Sequence, residues 1–218
     1  AARWIGYSES NVMDYAEYDS YSGGNGKNNY NRFSWIFDRL AAPQIYAGGT
    51  KDGFPWCACF VATCIGVATF EIKENLVRTI NFTRKTDLQN RQLQQKYIDN
   101  LDAALYCKGG KLQTVSLLAG VSSYPRFTAI KPCNLQEAEP SDLVIFGNNA
   151  HIGFIMETDP ASMCFTTIEG NTSQFAAETN GGKVCRKNYM IRGGVLYGSV
   201  NGATRKSWGQ YQIYKIKL

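Results

Sequence analysis

The sequence predicts an α+β fold, with N-terminal helices packed on one face of a C-terminal antiparallel sheet of about five or six strands. Three observations predict it. Apolar residues recur at helical spacing in most of the stretches up to about residue 120. After Pro140 the pattern changes to short runs rich in Val, Ile and Phe. Clusters of Gly, Asn, Asp and Pro separate those runs, as hairpin turns require. The chain, residues 1–218, reads as a single domain with a helical insertion at about 71–120, and no internal repeat is visible.

The elements follow in order. Residues 3–18 have the mixed spacing of a short helix, and 19–31 form a loop dominated by Gly and Asn. Arg32 to Ala42 reads as a helix with Phe33, Ile36, Phe37 and Leu40 on one face, ended by Pro43. A second loop, 48–53, delivers the chain to Pro55-Trp56-Cys57, and the small apolar stretch to Phe70 reads as a buried helix. Residues 71–120 carry a stripe of Leu88, Leu93, Tyr97, Leu101 and Leu105. Residues 121–140, with three prolines, look irregular. Strands are expected at Leu143–Phe146, His151–Glu157, Cys164–Glu169 and Val184–Ile191, with two more at Val195–Val200 and Gln212–Ile216.

Bulk properties narrow the function. With 44% hydrophobic and 19% charged residues the composition is that of a globular domain, which excludes general disorder. The net charge of +5 suits an anionic surface such as a bacterial wall, and equally a plain solvated exterior. No block of five like charges occurs, so a nucleic-acid-binding tail is not expected. The longest apolar run, Cys57 to Phe70, is too short to span a bilayer. The start, Ala1-Ala2-Arg3-Trp4, shows no signal peptide, and the absence of an initial Met points to a processed form or an excised domain. Seven cysteines is an odd number, scattered unlike a small disulfide scaffold; reduced thiols are the simpler reading, with a Cys164–Cys185 bridge left open.

Two of these residues can carry chemistry together. Cys57 falls in the first turn of its helix, where unpaired N–H groups and the helix dipole favour a thiolate. Cys64 lies two turns deeper on the same face as Phe60, Val61 and Ile65, and Cys59 points elsewhere. The bland alternative, that all three are small hydrophobic packers, fits position alone. A zinc site is disfavoured because one helix cannot converge all three thiols and the chain has one histidine. That histidine, His151, is the sole imidazole available as a base near neutrality. If the next two strands form a hairpin centred on Pro160, His151 faces Glu169; if it is centred on Ala161, His151 faces Asn171. Either partner could fix the imidazole tautomer.

Four stretches in order carry a resemblance: Pro55-Trp56-Cys57-Ala58-Cys59-Phe60-Val61, Pro140-Ser141-Asp142-Leu143-Val144-Ile145-Phe146, His151-Ile152-Gly153-Phe154-Ile155 and Thr167-Ile168-Glu169-Gly170-Asn171-Thr172-Ser173. Together they resemble the CHAP family of cysteine- and histidine-dependent amidohydrolases and peptidases, in particular phage-lysin members. The resemblance implies a papain-like form of the α+β fold. It also implies cleavage of an amide bond in peptidoglycan, either N-acetylmuramoyl-L-alanine or a bond of the stem or cross-bridge. Carried over, Cys57 attacks, His151 takes its proton, and Glu169 and Asn171 orient the ring. Trp56, Asn29 and Tyr30 are the candidate substrate-binding residues. Ser141 replaces a usual glycine, so that turn is expected to differ slightly. Some members bind calcium near the nucleophile; only Asp52 lies close here, so no metal and no cofactor are expected. The expected partner is bacterial peptidoglycan, the expected place of action the cell wall after secretion or phage delivery, and the expected state a monomer, alone or within a larger multidomain protein. Two other functions stay open: an amidase on a small peptide or polyamine conjugate, and a non-catalytic wall-binding domain.

Overall fold

A computed structural model describes residues 1–9, 31, 33–34, 56–61, 63–65, 131–148, 150–173, 181–200 and 203–216. The described residues are mostly antiparallel sheet. Its strands are β1 (Lys131–Cys133), β2 (Leu143–Phe146), β3 (His151–Asp159), β4 (Cys164–Thr172), β5 (Lys183–Arg192), β6 (Val195–Val200), β7 (Ala203–Lys206) and β8 (Tyr211–Lys215). They lie in the order β1-β8-β2-β3-β4-β5-β6-β7. Thus β2 to β7 form a meander of sequential hairpins, and β8 returns to close against the free side of β2.

This corrects the expected fold of N-terminal helices packed on a five- or six-stranded sheet. Eight strands are present among the described residues. Helical residues there are confined to a 3-10 turn at Ala2–Trp4, residues 33–34, and one short helix over 57–61 and 63–65. The six expected strands occur, several of them longer than read. The two extra strands, β1 and β7, are the sheet edges. An edge strand pairs on one side only, so it needs no apolar alternation and tolerates Pro132. The Lys131-Pro132-Cys133 and Ala203-Thr204-Arg205-Lys206 segments therefore carry no strand signature. The expected helix over 32–42 beyond 33–34, the loop at 48–53 and the 71–120 insertion lie outside the described residues, as do Asn29 and Tyr30.

Alternation along the strands places the core. Val144, Phe146, Ile155, Phe165, Tyr189, Ile191, Leu196, Trp208 and Ile213 form one buried cluster on one side of the curled sheet. Each such large side chain, removed from water, contributes roughly 1.5–3 kcal/mol. On the opposite side, Phe60 of the short helix meets Phe154 edge-on at 6.3 Å between ring centroids. The helix sits close to β4 because Gly170 has no side chain: a Cβ there would lie 2.5 Å from Phe60 Cβ. β4 is consequently covered on both faces, and all but its first residue are buried.

The start of the helix is tied down. The Phe60 N–H donates to the Trp56 carbonyl at 2.9 Å, which makes Trp56 the residue before the first turn and Cys57 the first residue in it. The Trp56 indole stacks on Phe33 at 5.2 Å and its N–H donates to Glu9 Oε2. Glu9 is fixed in turn by its own N–H, which donates to the Gly182 carbonyl at 2.7 Å, beside a bridge between Ser8 and Lys183. The N-terminal segment thus docks on the beginning of β5 and holds the helix start from below.

The turn before β2 keeps a conformation that glycine would favour. Ser141 has φ of 84°. The expected departure at this position therefore leaves a left-handed turn in place, with a serine accepting the backbone strain.

Candidate active site

His151 is the first residue of β3, immediately after the turn from Phe146. It is completely buried. Trp208 lies parallel to the imidazole at 6.1 Å and 9°, and Phe146 at 5.8 Å and 29°. These rings hold the imidazole plane, leaving its two nitrogens as the groups that can act.

Nε2 stands 3.0 Å from Glu169 Oε2. The hairpin explains how. A bulge between Ile155 and Glu157 shifts the β3–β4 register, so that Gly153 opposes Glu169. This is the register centred on Ala161, which by continuation sets Asn171 across from His151. The ring nevertheless bonds Glu169, which reaches diagonally. Glu169 can do so because position 153 is bare: a Cβ there would lie 2.7 Å from Glu169 Cγ and 3.1 Å from the Ile168 carbonyl oxygen.

A testable consequence follows from that contact. Gly153→Ala should lower unfolding stability by about 1–3 kcal/mol in urea titration, because the neighbouring backbone cannot yield. It should also move the titration of His151 downward, followed by NMR as the signal of the chain's single histidine.

The second nitrogen, Nδ1, carries no hydrogen bond of standard geometry. The Cys57 thiol acts on the imidazole through hydrogen bonding and charge. Such contacts often tighten only when substrate is bound. Burial works most strongly against an imidazolium here, but the Cys57 thiol and the Glu169 carboxylate together outweigh it and raise the His151 pKa from 6.5 to about 9.

Glu169 is itself completely buried and well supported. Its Oε1 accepts from the Thr167 hydroxyl and, at 2.8 Å, from the Tyr189 hydroxyl. The Lys187 ammonium lies 3.6 Å from Oε2. Burial alone would push this carboxyl up; Lys187, His151 and Thr167 more than offset it and hold it at about 2. Burial and the Glu169 charge push the Tyr189 phenol well above its ordinary value, so it stays a donor.

The structure therefore brings together Cys57, His151 and Glu169. Asn171 is buried in the same strand with φ of 55°, but it does not bond the imidazole. Trp56, expected to bind substrate, is fully buried, stacked on Phe33 with its indole N–H donating to Glu9. Cys64, expected inside the helix–sheet contact, is half-buried, whereas Cys59 is buried. None of Cys57, Cys59, Cys64, Cys133, Cys164 and Cys185 is in a disulfide, so the bridge left open between Cys164 and Cys185 is not formed. Sequence reasoning missed Gly153, Thr167, Lys187, Tyr189 and Trp208. Strand parity with Glu169 was a usable signal for Thr167, and the alternation of β5 for Tyr189; Lys187, set between Arg186 and Asn188, and Trp208, in a connection between strands, offered none.

Among the described residues no group of three His, Cys, Asp or Glu side chains is placed to hold a metal ion, and no helix is long and apolar enough to cross a membrane. Compared with known proteins, the chain matches no family model, no curated protein and no solved structure.

Proposed function

We propose that the chain is a cysteine-dependent amidohydrolase or peptidase of the CHAP type, acting on an amide bond of bacterial peptidoglycan at the cell wall. The observation that carries the reading is the buried imidazole of His151, held on one nitrogen by Glu169 and influenced by the Cys57 thiol at the start of a helix. That is the arrangement of a nucleophile, a base and an orienting group.

In this reading the Cys57 sulfur attacks the carbonyl carbon of the scissile amide, its proton having passed to His151. The developing oxyanion is met by the Cys57 backbone N–H, which has no intrahelical partner in the first turn. The C–N bond breaks as His151 returns the proton to the leaving amine. Water, deprotonated by His151, then hydrolyses the thioester and restores the thiol. Glu169 stays ionised throughout and stabilises the imidazolium of each step. The sequence stretches around these residues, together with the net charge of +5, favour an anionic wall polymer as substrate.

Purified cell walls test this directly. The wild-type protein should clear a wall suspension and generate new amino termini, identified by mass spectrometry. A new N-terminal alanine identifies the amidase reaction; other new termini identify an endopeptidase. Walls that stay turbid and release no new termini over a range of species would overturn the reading.

A further inference from the structure

Lys187 is a buried cation that the acyl-transfer steps do not use. It occupies an inward position of β5, between Cys185 and Tyr189, in a strand whose exposed positions include Arg186 and Asn188. Its side chain is 5% exposed. Among the described residues Nζ makes no hydrogen bond. Its one close ionic neighbour among the described residues is Glu169 Oε2 at 3.6 Å, the oxygen that also meets His151 Nε2.

A buried ammonium with no hydrogen bond costs free energy unless its charge is used. Here the geometry of Glu169 is already set by Thr167, Tyr189 and His151. What Lys187 adds is field. The groups facing Glu169 are Thr167 on its own strand, His151 on β3, and Cys185, Lys187 and Tyr189 on β5, with Cys57 beyond the ring. When Cys57 and His151 exchange their proton, the sequence of charge becomes thiolate, imidazolium, carboxylate, ammonium. Two negative and two positive groups then share one water-poor site. Without Lys187 the same state would hold an excess negative charge.

We propose that Lys187 is a positioning residue for catalysis that acts through Glu169, its ammonium balancing the buried charge created when the proton of Cys57 passes to His151. This rests on the acyl-transfer reading of Cys57, and the test separates the two.

The test is the rate of Cys57 alkylation by iodoacetamide against pH, read by mass spectrometry on the peptide containing Cys57, in the full chain. The wild-type profile sets the reference acid limb. Lys187→Met should move the acid limb up by about one pH unit, a tenfold slower reaction at fixed pH on that limb. Lys187→Arg should restore the wild-type limb. An unmoved limb in Lys187→Met, or an equal displacement in Lys187→Arg, overturns the proposal, since packing and not charge would then be at stake. If Lys187→Met does not fold, Lys187→Gln takes its place; loss of the fold in both, with Lys187→Arg intact, assigns Lys187 to stability and also overturns it. A wild-type profile like that of an ordinary thiol, unaltered by Glu169→Gln, instead defeats the acyl-transfer reading. A shift with Glu169→Gln but none with Lys187→Met defeats only the role of Lys187.

Discussion

Cys57→Ala should abolish wall hydrolysis, with a rate loss of at least about 10⁴-fold, while leaving the fold intact. The effect is large because, among the described residues, Cys57 is the thiol that acts on the His151 imidazole. The imidazole has one nitrogen committed to Glu169. The thiol acting on the ring is Cys57, at the first residue of the helix. Cys59, two residues on, is rotated by about 200° around the helix. Alanine keeps the helix start, and the lost sulfur leaves only a small void. Circular dichroism and the urea midpoint should therefore match the wild type, and turbidity assays should not. Equal clearing of walls by both proteins would show that the activity resides elsewhere.

Glu169→Gln should lower activity by about 10²- to 10⁴-fold and stability by about 3–5 kcal/mol. Both losses have one origin. Removing the carboxylate charge strips the imidazolium of its counter-charge and leaves the Lys187 ammonium buried without one among the described residues. The dependence of stability on pH gives a second readout. The Glu169 pKa is depressed from 4.5 to about 2, so its contribution is complete above 4.5 and is lost as pH falls through 2. The His151 pKa is raised from 6.5 to about 9, so its contribution is complete below 6.5 and is lost as pH rises through 9. Urea midpoints of the wild type should thus be greatest between about pH 4.5 and 6.5 as far as this pair is concerned. In Glu169→Gln both slopes should flatten. Unchanged slopes would mean that the pair does not interact in solution.

How far the sequence could be read differs by element. Strands that bury a face wrote themselves plainly, as in Leu143-Val144-Ile145-Phe146, which is buried throughout. The edge strands β1 and β7 did not, because a strand paired on one side only is less bound to apolar alternation. The N-terminal helices were inferred from spacing that amphipathic turns share, and 10–30 and 35–55 lie outside the described residues. Pairing of His151 with an acid was legible because strand parity survives any two-residue change of register. The bulge between Ile155 and Glu157, and the diagonal reach over position 153, were not. Lys187 was hidden for a different reason: a lysine flanked by Arg186 and Asn188 reads as a solvated surface, and burial comes only from what the sheet curls around.

The missing side chain at Gly153 also dictates which acid the site can employ. Diagonal neighbours on an antiparallel ladder stand about 7–8 Å apart, against about 5 Å for residues facing each other squarely. A glutamate bridges the longer gap, whereas an aspartate at 169 would stop a methylene short. Acid length and vacant rung are therefore a single specification written at two positions on neighbouring strands. Changing either alone breaks it, and the two changes made together should not sum.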